Sequence, residues 1–474
     1  MTDVRAPLLP DATRDLAAFG ATLRFEDIPG DVVERMRYCM LDSIGCCLFG
    51  ITLPWTQRVL DVVRSEGGAP AASVFGSGFQ TSVSQAVLVN GTAGHAFELD
   101  DIHKESILHP GSLALPVVMA LAEARGDASG RELIEGLVAG YEIGTRIGNA
   151  ATMSLFLRGF HPQGTSGVFV AAAAAARMLA LDAGRFQHAL GIAGSQAGGL
   201  MAAQEGAMVK RFHSGRAAQS GVYSALLAQR DFTGITDALE APYGGFLATY
   251  SDKPNARRLT DGLGTQWETA LMGYKPHASV TSIHTALDAL ADILTAESLA
   301  ADDVASVEAG LSHMTYVHCA WRYEGQGVTA AQMNLAYGLA MMALDRVVFV
   351  EQFREERLRD PRVLEFIGKV SAHVDPQIDA MGPAFRHAVR MVVTARDGRR
   401  FTREVLYRRG SPENPLKAED VEYKFRNIAR ACLADADAAR VRDLCLRVER
   451  LSSTRELMHI LAAPTATRRP DHRP

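Results

Sequence analysis

Four short stretches concentrate histidine, lysine and acidic side chains in a chain otherwise rich in alanine and glycine. GHAFELDDIHKESILHPGS brings His95, Glu98, Asp100, Asp101, His103 and His109 into one segment. RGFHPQGTSG carries His161, MVKRFHSGRAAQSG carries Lys210, Arg211 and His213, and GYKPHASVTSIH carries Lys275, His277 and His284. Imidazole gives and takes protons near neutral pH, and lysine and arginine hold carboxylates. Together these groups suit the movement of a proton on the carbon next to a carboxylate. Removing that proton leaves an enediolate-like dianion, which a cationic pocket with aimed donors stabilises. His109–Pro110 and His161–Pro162 each precede a helix-forming run, so both imidazoles are expected at helix N-termini. Free N–H groups and the helix dipole favour a bound anion there. Lys210, Arg211 and His213 are expected just ahead of a further small-residue helix, and Lys275 and His277 at the start of a second domain, facing the other clusters across a cleft.

Each residue taken alone has an ordinary reading. A histidine before a helix is more often a cap or a satisfied core group, Asp100 and Asp101 can cap a helix or pair with an arginine, and Lys210 with Arg211 is by itself a solvated face. Repetition of the same chemistry in four places favours a site. The histidines and aspartates of the first cluster could ligate a metal. However, neither HExxH nor another compact ligand pattern occurs, and charged lysines are not ligands, so no metal is expected. GxGxxG after a strand, GxxxxGK[ST] and GxSxG are also missing, which leaves nicotinamide, nucleotide and serine-hydrolase chemistry without support.

The elements that must position these groups follow from composition and periodicity. At 474 residues the chain exceeds what one core supports, since single cores stop growing at roughly 250–300 residues. With 47% hydrophobic residues, dominated by alanine and leucine, helix is favoured. Apolar residues recur at helical spacing from about Ala12 to Arg230, and small residues such as Ala171–Ala176 allow helix axes to approach closely. A breaker-rich segment from Ser251 marks a boundary. Beyond it, VASVEAGLS near Val304 and the halves of FRHAVRMVVTARDGRRFTREVLY alternate like strands, the latter joined by a turn at Asp397–Gly398. Helical patterns, HTALDALADIL and AAQMNLAYGLAMMALD, lie between them. The expected fold is mainly α: a large helical domain from residues 1–268, a smaller α+β domain over 269–408, a return to the helical domain over 409–462, and a disordered tail over 463–474.

A formal charge of −5 with scattered cations gives no attraction for nucleic acid or membrane. The Gly164–Leu181 stretch is the most membrane-like and reads as a buried helix. No signal peptide is evident at the amino terminus, so a cytoplasmic protein is expected. The six cysteines form no CxxC pair and are expected to be reduced core thiols.

Taken together, VNGTAGHAFELDD, HPGSLALPVVMALAE, GFHPQGTSGVFVAAAAAARMLALD, KRFHSGRAAQSGVYSALLAQRDFTG, YKPHASVTSIHTALDAL, AAQMNLAYGLA and GSPENPL resemble, in order, the MmgE/PrpD family, which includes 2-methylcitrate dehydratase, cis-aconitate decarboxylase and iminodisuccinate epimerase. The resemblance implies a helical domain built from both chain ends, a lid domain, a homodimer, and no metal or organic cofactor. His109 matches the family histidine of HPG, His161 that of GWHP, Lys210 the lysine of K-x-x-H-x-G, and Lys275 the lid-domain lysine. Tyr316, in HMTYVHC, is the candidate for the lid tyrosine of decarboxylase members. The chain departs at Ile102, where a threonine is common, has an extra residue between Asp101 and His109, and reads KPHAS where KPYPCC is usual.

The expected activity is that of a cofactor-independent hydro-lyase acting on a small di- or tricarboxylate such as a citrate-like acid, with an epimerase or a decarboxylase as alternatives. A non-catalytic carboxylate-binding protein is the reading from another class. In the enzyme reading His109 or His161 moves the proton, Lys210 and Lys275 neutralise carboxylates, Asp101 orients a base or hydroxyl, and Glu98, Asp100, His103, Arg211, His213 and His277 contact substrate.

Overall fold

The helical spacing of DVVERMRYCMLDSIGCCLFG closes into the Gly30–Gly50 helix, and the alanine-rich run into the Gly167–Met178 helix, in a computed structural model that describes residues 8–464. The architecture is mainly helical with small sheets. Ser129 starts the Gly130–Leu157 helix with a reciprocal cap: its hydroxyl accepts the Glu132 N–H at 3.3 Å and its own N–H donates to Glu132 Oε2 at 2.8 Å. The helix breaks at Thr152, where φ is 55°. Residues Val168 to Ala176 are fully buried, the larger apolar ones each contributing roughly 1.5–3 kcal/mol. The small residues are what let the helices touch. A Cβ on Gly144 would lie 2.1 Å from Val170 Cγ2, so a side chain there would push the two helices apart.

Two hydrophobic clusters result. The first runs from Ala12 to Tyr274 and resumes from Val421 to Leu461, so the C-terminal helices pack on the N-terminal ones. Lys424, on the Ala418–Ala429 helix, seals that return: its Nζ lies 2.7 Å from Asp42 Oδ1 and also donates to the Leu99 carbonyl. The second cluster gathers residues from Ala278 to Ala395, together with Cys46, Phe97, Leu99 and Ile428. Its four-stranded sheet has the order Val370–Val374, Val304–Leu311, Val389–Ala395, Arg400–Val405. The first pair is parallel, and the last two strands form the hairpin around Asp397–Gly398, with Val389 opposite Val405.

Sequence periodicity missed the Val370–Val374 strand, a half-exposed edge too short to show a pattern. It also missed two short strand pairs: Ala72–Val74 with Phe79–Thr81, and Ile102–His103 with Met272–Gly273. The run AAQMNLAYGLAMMALD is two helices, Val328–Met333 and Leu335–Asp345, because Asn334 turns out of the helix and caps the second by accepting the Tyr337 N–H at 3.0 Å. Among the described residues no single helix is long and apolar enough to cross a membrane. All six cysteines are buried and unbridged. Of the tail expected from 463, only Ala463 and Pro464 fall within the described residues.

Candidate active site

The segment between the Val83–Gly94 and Gly111–Arg125 helices forms the first wall of a cavity of ≈ 70 Å³. Two of its residues on that wall, Glu98 and Ile107, hold φ values of 54° and 55°. Left-handed backbone at a non-glycine residue costs roughly 1–2 kcal/mol, and a β-branched side chain there is a true outlier. The surroundings enforce it. Ile102–His103 pairs with Met272–Gly273, the His103 N–H donates to the Leu108 carbonyl at 2.8 Å, and Gln163 clamps His109 through both its N–H and its carbonyl at 3.0 Å.

Asp101 is the correction on this wall. Its Oδ1 accepts the Gly111 N–H at 3.0 Å and its Oδ2 the Tyr141 hydroxyl at 2.6 Å, behind the cavity rather than in it. Burial, reinforced by Asp42 and Asp100, pushes its carboxyl up to about 8. It therefore fixes the start of the helix that follows His109. Gly111 leaves the room this needs: a Cβ there would lie 1.9 Å from Ser43 Oγ and 2.8 Å from Asp101 Oδ1.

Four imidazoles, two from this segment and two brought from farther along the chain, cluster here with their rings tilted to one another. Ring centroids are 4.8 Å apart for His95 and His109, 5.8 Å for His95 and His161, and 5.2 Å for His161 and His213. Asp100 holds the first two: His95 Nδ1 lies 2.8 Å from Oδ2, and His109 Nδ1 lies 3.3 Å from Oδ1. Burial opposes ionisation of Asp100, but its contacts with His109 and His95 outweigh it and keep its carboxyl well below the usual range. Burial drives His95 down to about 3, helped by Lys210 and resisted by Asp100, so His95 is neutral and donates its Nδ1–H. His161 is likewise lowered by burial and by Lys210, and its Nδ1 sits 2.9 Å from His213 Nδ1. His95, Asp100 and His109 offer possible metal-ligand atoms all within 4.8 Å of one another. Of these contacts only His95–Asp100 is a hydrogen bond, His109 facing Asp100 as an ion-pair contact, and the Lys210 charge beside them disfavours a cation.

Next to the imidazoles, Glu98 gathers three cations. Lys210 and Arg211 meet its Oε1, and Lys275 donates to Oε2 at 2.9 Å. Burial would raise the Glu98 carboxyl, but Lys210, Lys275 and Arg211 together hold it well below its ordinary value. Burial in turn lowers Lys210 to about 8, against the pull of Glu98. A carboxylate so surrounded organises cations; it does not itself attract a carboxylate ligand. Lys210 and Arg211 lie inside the first turn of the Val209–Ala228 helix, not ahead of it as their spacing suggested. Arg211 turns from the cavity and reaches Gln332 Oε1 at 3.0 Å, while Gln332 Nε2 donates to the carbonyls of Phe97 and Ala278 at 2.9 and 3.1 Å.

The opposite wall comes from the second cluster and brings residues that sequence reading passed over. Thr281, Ser282, Met314, His318, Arg386, His387 and Arg408 line the cavity beside the expected Lys275, and Lys104 joins them from the first wall. Tyr316 does not. It is 38% exposed on the His313–Cys319 helix, whose residues 314 and 318, one turn apart, face the cavity while 316 points away. The missed signal was that spacing, Met314 with His318. Burial and the nearby Lys210 lower His318 to about 4. Of the remaining expected contacts, His103 is turned back onto Ser106 Oγ at 2.9 Å and Glu268 Oε2 at 3.2 Å. His277 faces Asp288 at 3.3 Å, and His213 stands behind His161. Glu98, His109, His161, Lys210 and Lys275 reach the cavity itself, as does Ile102.

Comparison with known proteins extends over nearly the whole chain. Residues 14–259 match the MmgE/PrpD N-terminal domain and residues 277–449 the MmgE/PrpD C-terminal domain. A cis-aconitate decarboxylase of Aspergillus terreus is 32% identical over 95% of this chain and 96% of its own length. A cis-aconitate decarboxylase-like protein of Aspergillus oryzae is 30% identical over 95% and 97%. The cis-aconitate decarboxylase of Homo sapiens is 28% identical over 97% and 96%.

Proposed function

Because the chain belongs to the MmgE/PrpD family, we propose that it is a lyase that decarboxylates a small unsaturated tricarboxylate of the cis-aconitate type. Residue types by themselves rank dehydration of a citrate-like acid first and leave epimerisation and decarboxylation open. The relatives named for decarboxylation, matched end to end, move the preference to the last. The observation that carries the reading is the charge of the cavity wall: Lys104, Lys210, Lys275, Arg386 and Arg408 face a single carboxylate, Glu98, beside imidazoles that burial keeps neutral. Such a wall favours a polyanion and the extra charge that develops as the reaction proceeds.

In an acid of this type the bond from the allylic carbon to its carboxylate breaks and carbon dioxide leaves. The electron pair left behind spreads through the alkene onto the carboxylate at its far end. A proton then adds to the carbon beside that carboxylate, and the double bond ends one position away. Lys210 and Lys275 hold the carboxylates and offset the delocalised charge. His109 delivers the proton, with Asp100 placed to orient its ring and balance its charge. His161, lowered by burial, serves as a neutral hydrogen-bond partner, not as the resting acid. The cavity of ≈ 70 Å³ has room for roughly five waters, so entry requires its two walls to part. In this reading the smaller α+β body is the lid, and its closure brings Lys275 and His318 onto the first wall.

The test is incubation with cis-aconitate, citrate, 2-methylcitrate and iminodisuccinate in deuterated water, followed by NMR. The expected result is release of carbon dioxide from cis-aconitate, with one deuterium in the product. Water lost or gained without carbon dioxide would replace the reading with a hydro-lyase, and exchange alone on iminodisuccinate with an epimerase. No turnover and no exchange would leave a carboxylate-binding protein.

A further inference from the structure

Two buried arginines stand at the same end of the sheet hairpin. Val389 pairs with Val405, so Arg386, three residues before one strand, and Arg408, three residues after the other, emerge together at the cavity. Arg386 is 5% exposed and Arg408 3%. Neither forms an ion pair among the described residues. Arg386 donates to the backbone carbonyls of Lys104 at 2.6 Å and Pro383 at 3.2 Å, and its Nε has no acceptor. Arg408 donates to the carbonyls of Tyr274 at 3.3 Å and Arg409 at 3.4 Å. Buried guanidinium groups that meet only carbonyl dipoles keep most of their desolvation cost. Burial lowers the pKa of both, Arg408 to about 10.

Their placement is fixed from behind. Ser312 and Thr315 donate to the Arg386 carbonyl at 2.6 Å, tying it to the start of the helix that carries His318. The Arg408 contact to Tyr274 braces the residue before Lys275. Lys104, at the rim, is already engaged by Glu413 at 3.1 Å. At the other pole of the cavity Glu98 compensates Lys210, Arg211 and Lys275. At the hairpin pole Glu105, Glu413 and Asp288 pull on the arginines from beyond ion-pair distance, and among the described residues no carboxylate meets them as Glu98 meets the lysines.

We propose that Arg386 and Arg408 form a second carboxylate-binding pole, and that the enzyme uses it to select acids bearing a carboxylate at each end and one between over shorter dicarboxylates. The proposal rests on the lyase reading for the location of the reacting end, held at Lys210 and Lys275. The planar forks of the hairpin arginines supply parallel N–H donors to the distal carboxylate, a geometry lysine does not reproduce.

Calorimetric titration of the full chain with propane-1,2,3-tricarboxylate, which has no double bond to drive decarboxylation, and with succinate tests this. The wild type is expected to prefer the tricarboxylate by at least about tenfold. Arg386→Gln and Arg408→Gln are each expected to raise its Kd roughly 10- to 100-fold while changing that of succinate less than about threefold. A purely structural lesion would weaken both acids together, so the ratio is the readout. Arg386→Lys and Arg408→Lys, which keep the charge if the glutamine variants do not fold, are expected to lose part of the preference. Unchanged preference in the folded variants, with wild-type binding intact, overturns the proposal and leaves the lyase reading standing. Failure of the wild type to bind either acid overturns both.

Discussion

Glu98→Gln isolates the charge balance at the centre of the cavity. Glu98 is the largest influence raising Lys210 against burial, and the outcome in the native protein is a lysine at about 8. The catalytic efficiency of the wild type is therefore expected to fall above about pH 8, close to tenfold per pH unit, as Lys210 loses the charge that holds a carboxylate. A hydrogen bond to a charged partner contributes about 1.5–3 kcal/mol, and one pKa unit corresponds to about 1.4 kcal/mol. Replacing Glu98 by the neutral amide should therefore move the descending limb roughly one to two units toward acid. Removing one partner of a buried ion cluster also destabilises by roughly 3–5 kcal/mol, so circular dichroism must first show the variant folded. The assay is initial carbon dioxide release as a function of pH at constant ionic strength, read as kcat/KM so that the limb belongs to the free enzyme. Lys210→Arg supplies the control, because arginine stays protonated throughout and the limb near 8 should vanish. A wild-type profile flat to about pH 10, or a limb that Glu98→Gln leaves in place, would refute the reasoning.

Asp100→Asn removes the carboxylate between His95 and His109 and is expected to lower kcat about 10²-fold or more with little change in KM; a loss confined to KM would place Asp100 in substrate binding instead. Tyr316→Phe should leave turnover within about twofold, since the side chain is exposed and off the cavity wall, and a loss of activity of ten times or more would contradict the placement. Gly111→Ala forces a Cβ against Ser43 and Asp101 and should destabilise by roughly 1–3 kcal/mol with a lower thermal midpoint; wild-type stability would show that the wall yields more than the packing implies.

The clusters around His109, His161, Lys210 and Lys275 were legible because they interrupt apolar helical periodicity with groups that a core does not accept unpaired. Helical spacing, the small residues of 171–176 and the Asp397–Gly398 turn likewise carry their structure locally, in 3.6- and 2-residue periods and a turn that needs positive φ. Which acid does what was not local. Asp100 and Asp101 are neighbours of the same type, yet one faces two imidazoles and the other a helix start and a tyrosine hydroxyl. Successive side chains on a loop diverge, and only the partners brought by Tyr141 and Gly111 decide between them. Tyr316 and His318 are separated by helix phase: positions 314 and 318 share the cavity face of the His313–Cys319 helix and 316 does not. Arg386 and Arg408, 22 positions apart in a stretch dense with arginine, become a pair only through the Val389–Val405 register. The sequence by itself carried the residue types gathered at the cavity and the helices that hold many of them. The tertiary structure alone decided which charges are left uncompensated, because that depends on neighbours distant in the chain and on the burial that makes their fields count.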